Sequence, residues 1–214
     1  MRFFGQGLAC VRGERLVFTG LDFALGPGEA LILAGRNGSG KTSLLRLMAG
    51  LAPCQAGRLG WDDGPVRDEP ERHAARLHYV GHLDAVKPAL TVWENLEFWA
   101  RLRGSDGAGA RAALARLGLD GLARVPARYL SAGQRHRLSL ARLLAAPAVL
   151  WLLDEPTVAL DGDSIAALMA ALAEHRAGGG MVVIATNVDL GDIEAATLDL
   201  HRFAPDAAAA WVSV

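Results

Sequence analysis

A continuous apolar stretch, Ala30-Leu31-Ile32-Leu33-Ala34, leads straight into Gly35-Arg36-Asn37-Gly38-Ser39-Gly40-Lys41-Thr42. A helix-forming run from Lys41 to Ala49 follows, stopped by Gly50. An unbroken apolar strand of this kind is buried on both faces, as in a parallel sheet covered by helices. The residues after it fit G-x-x-x-x-G-K-[ST], a spacing that lets backbone N–H groups converge on phosphate. The N-terminus of the following helix adds its partial positive charge. Lys41 is then expected to reach the β- and γ-phosphates of a nucleotide, and the Thr42 hydroxyl to ligate Mg²⁺. Gly35 through Thr42, with the adjacent Ser43, are thus expected to form a phosphate-binding loop. The bland alternative, a Gly-rich turn that happens to hold a lysine, fits the composition poorly, because only Lys41 and Lys87 of the 22 basic residues are lysines.

A second apolar strand, Val149-Leu150-Trp151-Leu152-Leu153, ends in Asp154-Glu155. Ligands of open α/β sheets bind at the carboxyl ends of strands. Asp154 is therefore expected to hold the Mg²⁺ shell, and Glu155 to orient and polarise an attacking water. The competing reading is a core strand that runs into an acidic turn. A third segment, Leu130-Ser131-Ala132-Gly133-Gln134, opens a helix containing Arg135, Arg137 and Arg142. Ser131 is a natural N-cap, and small residues leave the first N–H groups of that helix open to an anion. An ordinary capped helix start explains it equally well.

The remaining pattern organises these segments. Leu16-Val17-Phe18 and Leu21–Leu25 read as short antiparallel strands ahead of the Gly26-Pro27-Gly28 turn. Leu77–Val80 is a further strand. Thr91 and Glu94 form a capping box, after which helices are expected over 92–103, 111–123 and 132–145. The α/β pattern then returns with a helix near Ser164–Arg176 and the strand Met181–Ala185. One domain over residues 1–214 is expected, with a catalytic core at 1–84 and 141–214 and a helical subdomain at about 85–140.

Composition removes several classes of function. At 214 residues and 51% hydrophobic content there is material for a sizeable core. A formal net charge of −1 argues against nucleic-acid binding through a basic surface. Cys10 and Cys54 belong to no CxxC, so reduced thiols are expected. Met1–Gly7 lacks an apolar signal region. The run Leu143–Leu153, broken by Pro147, is too short for a bilayer span of about 20 residues.

With these residues in view, the chain resembles the ATP-binding cassette (ABC) ATPases. Leu130–Gln134 is similar to their LSGGQ signature, with Ala132 for the first central glycine. Asp154-Glu155-Pro156-Thr157 followed by Ala159-Leu160-Asp161 is similar to their DEPT…ALD segment. The resemblance implies an ABC-type P-loop NTPase fold with an antiparallel β subdomain and a helical insert, and a head-to-tail homodimer. Each ATP would lie between one phosphate loop and Ser131, Gly133 and Gln134 of the other copy. Integral membrane permease subunits are the implied partners, with the insert near Trp93, Phe98 and Trp99 as docking surface; internal packing of those aromatics is the other reading.

Three departures narrow the resemblance. No aromatic stands at Val11-Arg12-Gly13 to stack on the base, so either base recognition is loose or Arg12 or Arg15 stacks instead. His82 replaces the glutamine that normally follows the strand before the insert. Asn187 replaces the switch histidine after the last core strand. The segment Tyr79-x-Gly81-His82, Lys87, Leu90-Thr91 and Glu94-Asn95-Leu96 is similar to the ATP-binding subunits of the cytochrome c maturation haem exporter. That resemblance implies a peripheral subunit on the cytoplasmic face of the bacterial inner membrane, using ATP in the delivery of haem.

His78 and His82 fall on one side of an extended segment, but nothing nearby completes a metal or haem site. His82 facing the Mg²⁺–water shell is the preferred reading, and His73, His136, His175 and His201 are expected at the surface. Asn187 can donate a hydrogen bond to the γ-phosphate but cannot become cationic, so ATP binding is expected intact and hydrolysis slowed. The alternative functions are a low-turnover ATP-dependent scaffold subunit and an ABC ATPase for a different transported substrate. A soluble ABC protein of DNA repair or translation fits less well, since fused cassettes and long coiled-coil inserts are missing.

Overall fold

The computed structural model describes residues 1–105, 107–191 and 193–205. Its first half opens with two long antiparallel strands, β1 (Phe3–Arg12) and β2 (Arg15–Leu25). They sit with β4 (Ala56–Trp61) and β5 (Gly64–Pro65) in a sheet of order β2-β1-β4-β5. The second sheet has the order β6-β7-β8-β3-β9, from β3 (Ala30–Ala34), β6 (Leu77–Val80), β7 (Leu150–Asp154), β8 (Met181–Ala185) and β9 (Ala196–Asp199). Every pairing in it is parallel.

Among the described residues six α-helices accompany the sheets: α1 (Lys41–Met48), α2 (Pro70–Arg76), α3 (Val92–Leu102), α4 (Ala108–Arg116), α5 (Ala132–Ala145) and α6 (Gly162–Ala177). The period-2 alternation of strand side chains divides the interior in two. Leu31, Leu33, Leu150, Leu152, Met181 and Val183 pack toward α1 and the antiparallel sheet. Ala30, Trp151, Leu153, Val182 and Ile184 face the other way, into a core shared with α3 to α6. Covering on both faces is why β7 and β8 are buried at every position and read as unbroken apolar runs.

Parallel register brings the carboxyl ends of the strands together. Leu33 pairs with Ala185, and Asp154 with Ala185 on its other side. The segments that leave β3, β6, β7 and β8 therefore emerge side by side, and these are the glycine-rich loop at 35–40, Gly81-His82, Glu155 and Thr186-Asn187.

Several expected elements change. The two short strands at Leu16–Leu25 are one continuous strand, because β1 supplies a partner along its whole length. Helix 111–123 becomes α4, which ends at Arg116; Gly118 (φ 64°) turns the chain, and a 3₁₀ turn spans Asp120–Leu122. The capping box of Thr91 and Glu94 forms as expected, with both reciprocal hydrogen bonds. β1, β4, α2 and β9 have no clean periodicity in the sequence.

The histidines also differ from expectation. His73 is 2% exposed, accepting from Trp61 Nε1 at 3.0 Å and lying 2.9 Å from the Met48 carbonyl. His136 is 7% exposed. His175 is half-buried and stacks on Trp151, centroids 3.9 Å apart and planes 6° from parallel. Only His201 of the four is exposed. Each of these three rings lies within hydrogen-bond distance of a backbone carbonyl that the fold delivers to it, which a local sequence pattern cannot reveal.

Candidate functional site

The strand ends border a cavity of about 1120 Å³ lined by residues 36–43, His82, Asp154, Glu155 and Asn187, with Arg12, Arg15, Leu16 and Val17 on the antiparallel-sheet side. The loop folds as it does because Gly40, the N-cap of α1, adopts φ 105°. A Cβ there would stand 2.6 Å from Val17. Helix α1 has no side-chain cap and no acidic residue in its first turn, so its amino end is free for an anion. The Ser39 hydroxyl is buried without a partner, a polar group that a phosphate oxygen suits.

Lys41 is 7% exposed, and its ammonium is held by the Gly35 carbonyl at 2.7 Å and Asn187 Oδ1 at 2.9 Å. The Thr42 hydroxyl donates to Asp154 Oδ2 at 2.9 Å. A hydroxyl and a carboxylate, both hard oxygen donors, suit Mg²⁺, which draws its remaining ligands from phosphate and water. Among the described residues no group of three or more His, Cys, Asp and Glu side chains gathers as a metal site.

Glu155 is held through both its backbone and its side chain. Its N–H donates to the Ala185 carbonyl at 2.8 Å, and its own backbone sits at φ 50°, uncommon for a side chain with a Cβ. Asn187 Nδ2 donates to Glu155 Oε1 at 2.9 Å and also lies 2.8 Å from Asn37 Oδ1. Lys41, Asn37, Glu155 and Asn187 are thus one connected network. Tyr79 stands behind Asp154, its phenol pushed above the ordinary range by burial and then by the Asp154 charge.

His82 is exposed on the cavity wall, whereas His78 is buried and bonded to the Ala146 carbonyl at 2.9 Å. The two are not brought together. Ser131, Gly133 and Gln134 lie outside the cavity. Ser131 Oγ accepts from the Gln134 N–H at 3.1 Å, and Gln134 Oε1 accepts from the Ser131 N–H at 2.8 Å. Several members of the cavity wall, His201 and Val158 among them, escape sequence reasoning. His201 accepts from the Arg36 N–H at 3.2 Å, and Val158 follows Glu155 on its turn. His201 arrives on a 3₁₀ turn, Leu200–Phe203, that only the docking of β9 beside β3 brings to the loop.

Comparison with known proteins gives the same picture. The family model described as "ABC transporter" matches residues 18–158. The cytochrome c biogenesis ATP-binding export protein CcmA of Rhodospirillum rubrum is 55% identical over 204 residues, 95% of this chain and 88% of that protein. Its namesake in Paramagnetospirillum magneticum is 55% identical over 206 residues, 94% and 95% of the two chains. The chain belongs to the ABC transporter family, in its CcmA branch. The fold agrees: an ABC transporter ATP-binding protein of Pyrococcus furiosus superimposes with TM-score 0.82 at 22% identity, covering 96% of this chain and 100% of that one.

Proposed function

We propose that this protein is the ATP-binding and ATP-hydrolysing subunit of an export complex of cytochrome c biogenesis. The observation that carries the reading is the convergence of Lys41, Thr42, Asp154, Glu155 and Asn187 on one cavity at the amino end of α1. Family membership and the names of the relatives support it.

In this reading, residues 35–43 cradle the triphosphate, and Lys41 exchanges its contact with Asn187 for phosphate oxygens. Thr42 and Asp154 would hold Mg²⁺, which would supply positive charge to offset that of the phosphates. Glu155 accepts a proton from water as the water oxygen bonds to the γ-phosphorus. The bond from that phosphorus to the β–γ bridging oxygen breaks, and ADP and inorganic phosphate leave. Asn187 orients Glu155, and His82 faces the attacking water. Arg12 and Arg15 flank the base.

Ser131, Gly133 and Gln134 act on the nucleotide of a second copy in a head-to-tail homodimer. Their distance from their own cavity supports that role, since a two-fold pairing completes two sites. Integral membrane permease subunits dock on the helices at about 85–140, within the one domain that spans 1–214. Phe98 and Leu102, 51% and 63% exposed, support this, while Trp93 and Trp99 are half-buried and lie under Arg111 and Arg142. The branch suggests peripheral attachment at the cytoplasmic face of the inner membrane, and no helix among the described residues is long and apolar enough to cross a membrane. Haem is the transported species that the branch suggests.

The test is ATP binding and hydrolysis by the purified full chain beside Lys41→Ala and Glu155→Gln. The reading expects Lys41→Ala to lose affinity and Glu155→Gln to bind ATP without hydrolysing it. Undiminished turnover in Glu155→Gln would point instead to the scaffold alternative, which the neutral Asn187 favours.

A further inference from the structure

The geometry points to His136 as a positioning residue that fastens Glu155 and His82 to helix α5, so that the Ser131 end of the helix and the cavity's own carboxylate form one mechanical unit. It rests on the role given to Glu155 above.

His136 projects from the second turn of α5 into a polar junction and is buried. Its Nδ1 lies 3.0 Å from Asp84 Oδ1, and its Nε2 lies 3.0 Å from the Pro156 carbonyl oxygen. Asp84 is two residues beyond His82, and Pro156 directly follows Glu155. A single imidazole therefore joins three segments that leave β6, β7 and the signature loop. A carbonyl can only accept, so Nε2 carries a proton toward Pro156. The Asp84 carboxylate oxygen faces Nδ1, so the two ring nitrogens reach one oxygen each. A neutral amide or an apolar side chain at 136 could not serve both acceptors from one rigid ring. Truncation would leave the buried Pro156 carbonyl unpaired beside Glu155.

A second contact fixes the same turn to the same helix. The α carbon of Gly133 approaches the Ala159 carbonyl so closely that a Cβ would stand 2.6 Å from that oxygen. Ala159 itself has φ 61°, a left-handed conformation that a free turn would abandon. Helix α5 thus grips the Glu155–Ala159 turn at Pro156 and again at Ala159. Glu155, already at φ 50°, depends on that grip for the direction of its carboxylate.

Steady-state hydrolysis by the full chain is compared for native, His136→Gln, His136→Arg, Asp84→Asn and Glu155→Gln proteins, with ATP affinity measured by titration. Misorientation of a catalytic group costs on the order of tenfold to a hundredfold in rate. We expect kcat to fall by about that much in His136→Gln and Asp84→Asn, with KM and ATP affinity within about twofold of native. His136→Arg, with donors for both acceptors, should regain most of the loss, which repacking alone would not do. Nitrogen NMR of the native ring should show the Nε2 proton held in a hydrogen bond, and that signature should change in Asp84→Asn. Native kcat in His136→Gln, or His136→Arg no better than His136→Gln, overturns the proposal while an inactive Glu155→Gln leaves the catalytic reading standing. A fully active Glu155→Gln overturns both. Should His136→Gln fail to fold, Asp84→Asn, altered at a less buried position, decides in the same way.

Discussion

Asn187 Nδ2 donates to Glu155 Oε1 at 2.9 Å, and the same side chain accepts Lys41 Nζ on its oxygen at 2.9 Å. The amide, with a donor and an acceptor on one carbon, bridges the carboxylate and the ammonium. Once phosphate displaces it from Lys41, however, a neutral donor is all that Asn187 offers to developing negative charge. Hydrogen bonds to a charged partner exceed neutral ones by about 1 kcal/mol, or about fivefold in rate. Asn187→His should hydrolyse ATP about that much faster than native protein, and Asn187→Ala more slowly, with ATP affinity little changed. Equal rates for native and Asn187→His would show that the amide is an adequate substitute.

Head-to-tail pairing has a signature that no single-chain site can imitate. Lys41 lines the cavity and Ser131 does not. Chains bearing Lys41→Ala and chains bearing Ser131→Arg should each be inactive alone. Mixed dimers carry one intact site, with Lys41 from one copy and Ser131 from the other. ATPase activity should therefore reappear on mixing; persistent inactivity across mixing ratios would argue against a shared site.

Gly133 and Ala132 should respond differently to exchange. A Cβ at Gly133 meets the Ala159 carbonyl at 2.6 Å, so Gly133→Ala must push the turn away. Overpacking of this sort costs typically about 1–3 kcal/mol. Ala132 is exposed at the first position of α5, and Ala132→Gly should cost about 1 kcal/mol or less. Thermal melting of the two variants checks the ranking, which a reversed order would contradict.

Acid should unfold the protein through its buried histidines. Burial drives the His78 imidazole down to about 4, and Arg103 and Arg142 push the same way. The folded value lies below the ordinary 6.5, so the unfolded chain takes up the proton first. This contribution to stability is fully present above about pH 6.5 and is lost as pH falls toward 4, for about 3 kcal/mol in all. His73 and His175 are shifted downward by burial as well and steepen the same window. Urea unfolding at pH 7.5, 5.5 and 4.5 should show the loss, and His78→Gln should flatten part of it. Parallel profiles for both proteins would place the acid sensitivity elsewhere.

Contiguous motifs were legible because they work through their own backbone. Gly40 takes φ 105° without a side-chain penalty, and Ser131 caps α5 through a residue three positions away. β7 and β8 announce themselves by unbroken apolar runs. β1 and β4, with Gly5, Gly7, Gly57 and Gly60, have weak strand propensity and become strands by pairing with each other, Phe3 opposite Trp61. β9 is four residues long and largely exposed, and is a strand through its parallel ladder with β3.

The sequence alone determined the phosphate loop, the two carboxylates at the end of β7, and the helix start at Ser131. Each depends on residues close along the chain, whose geometry follows from glycine dihedrals, capping and apolar runs. Only the tertiary structure decided that His201 meets the Arg36 amide, that Asn187 spans Lys41 and Glu155, and that His136 joins Asp84 to Pro156. Those contacts join segments brought together by parallel register and a shared core, and a buried polar group takes whichever partner that packing delivers.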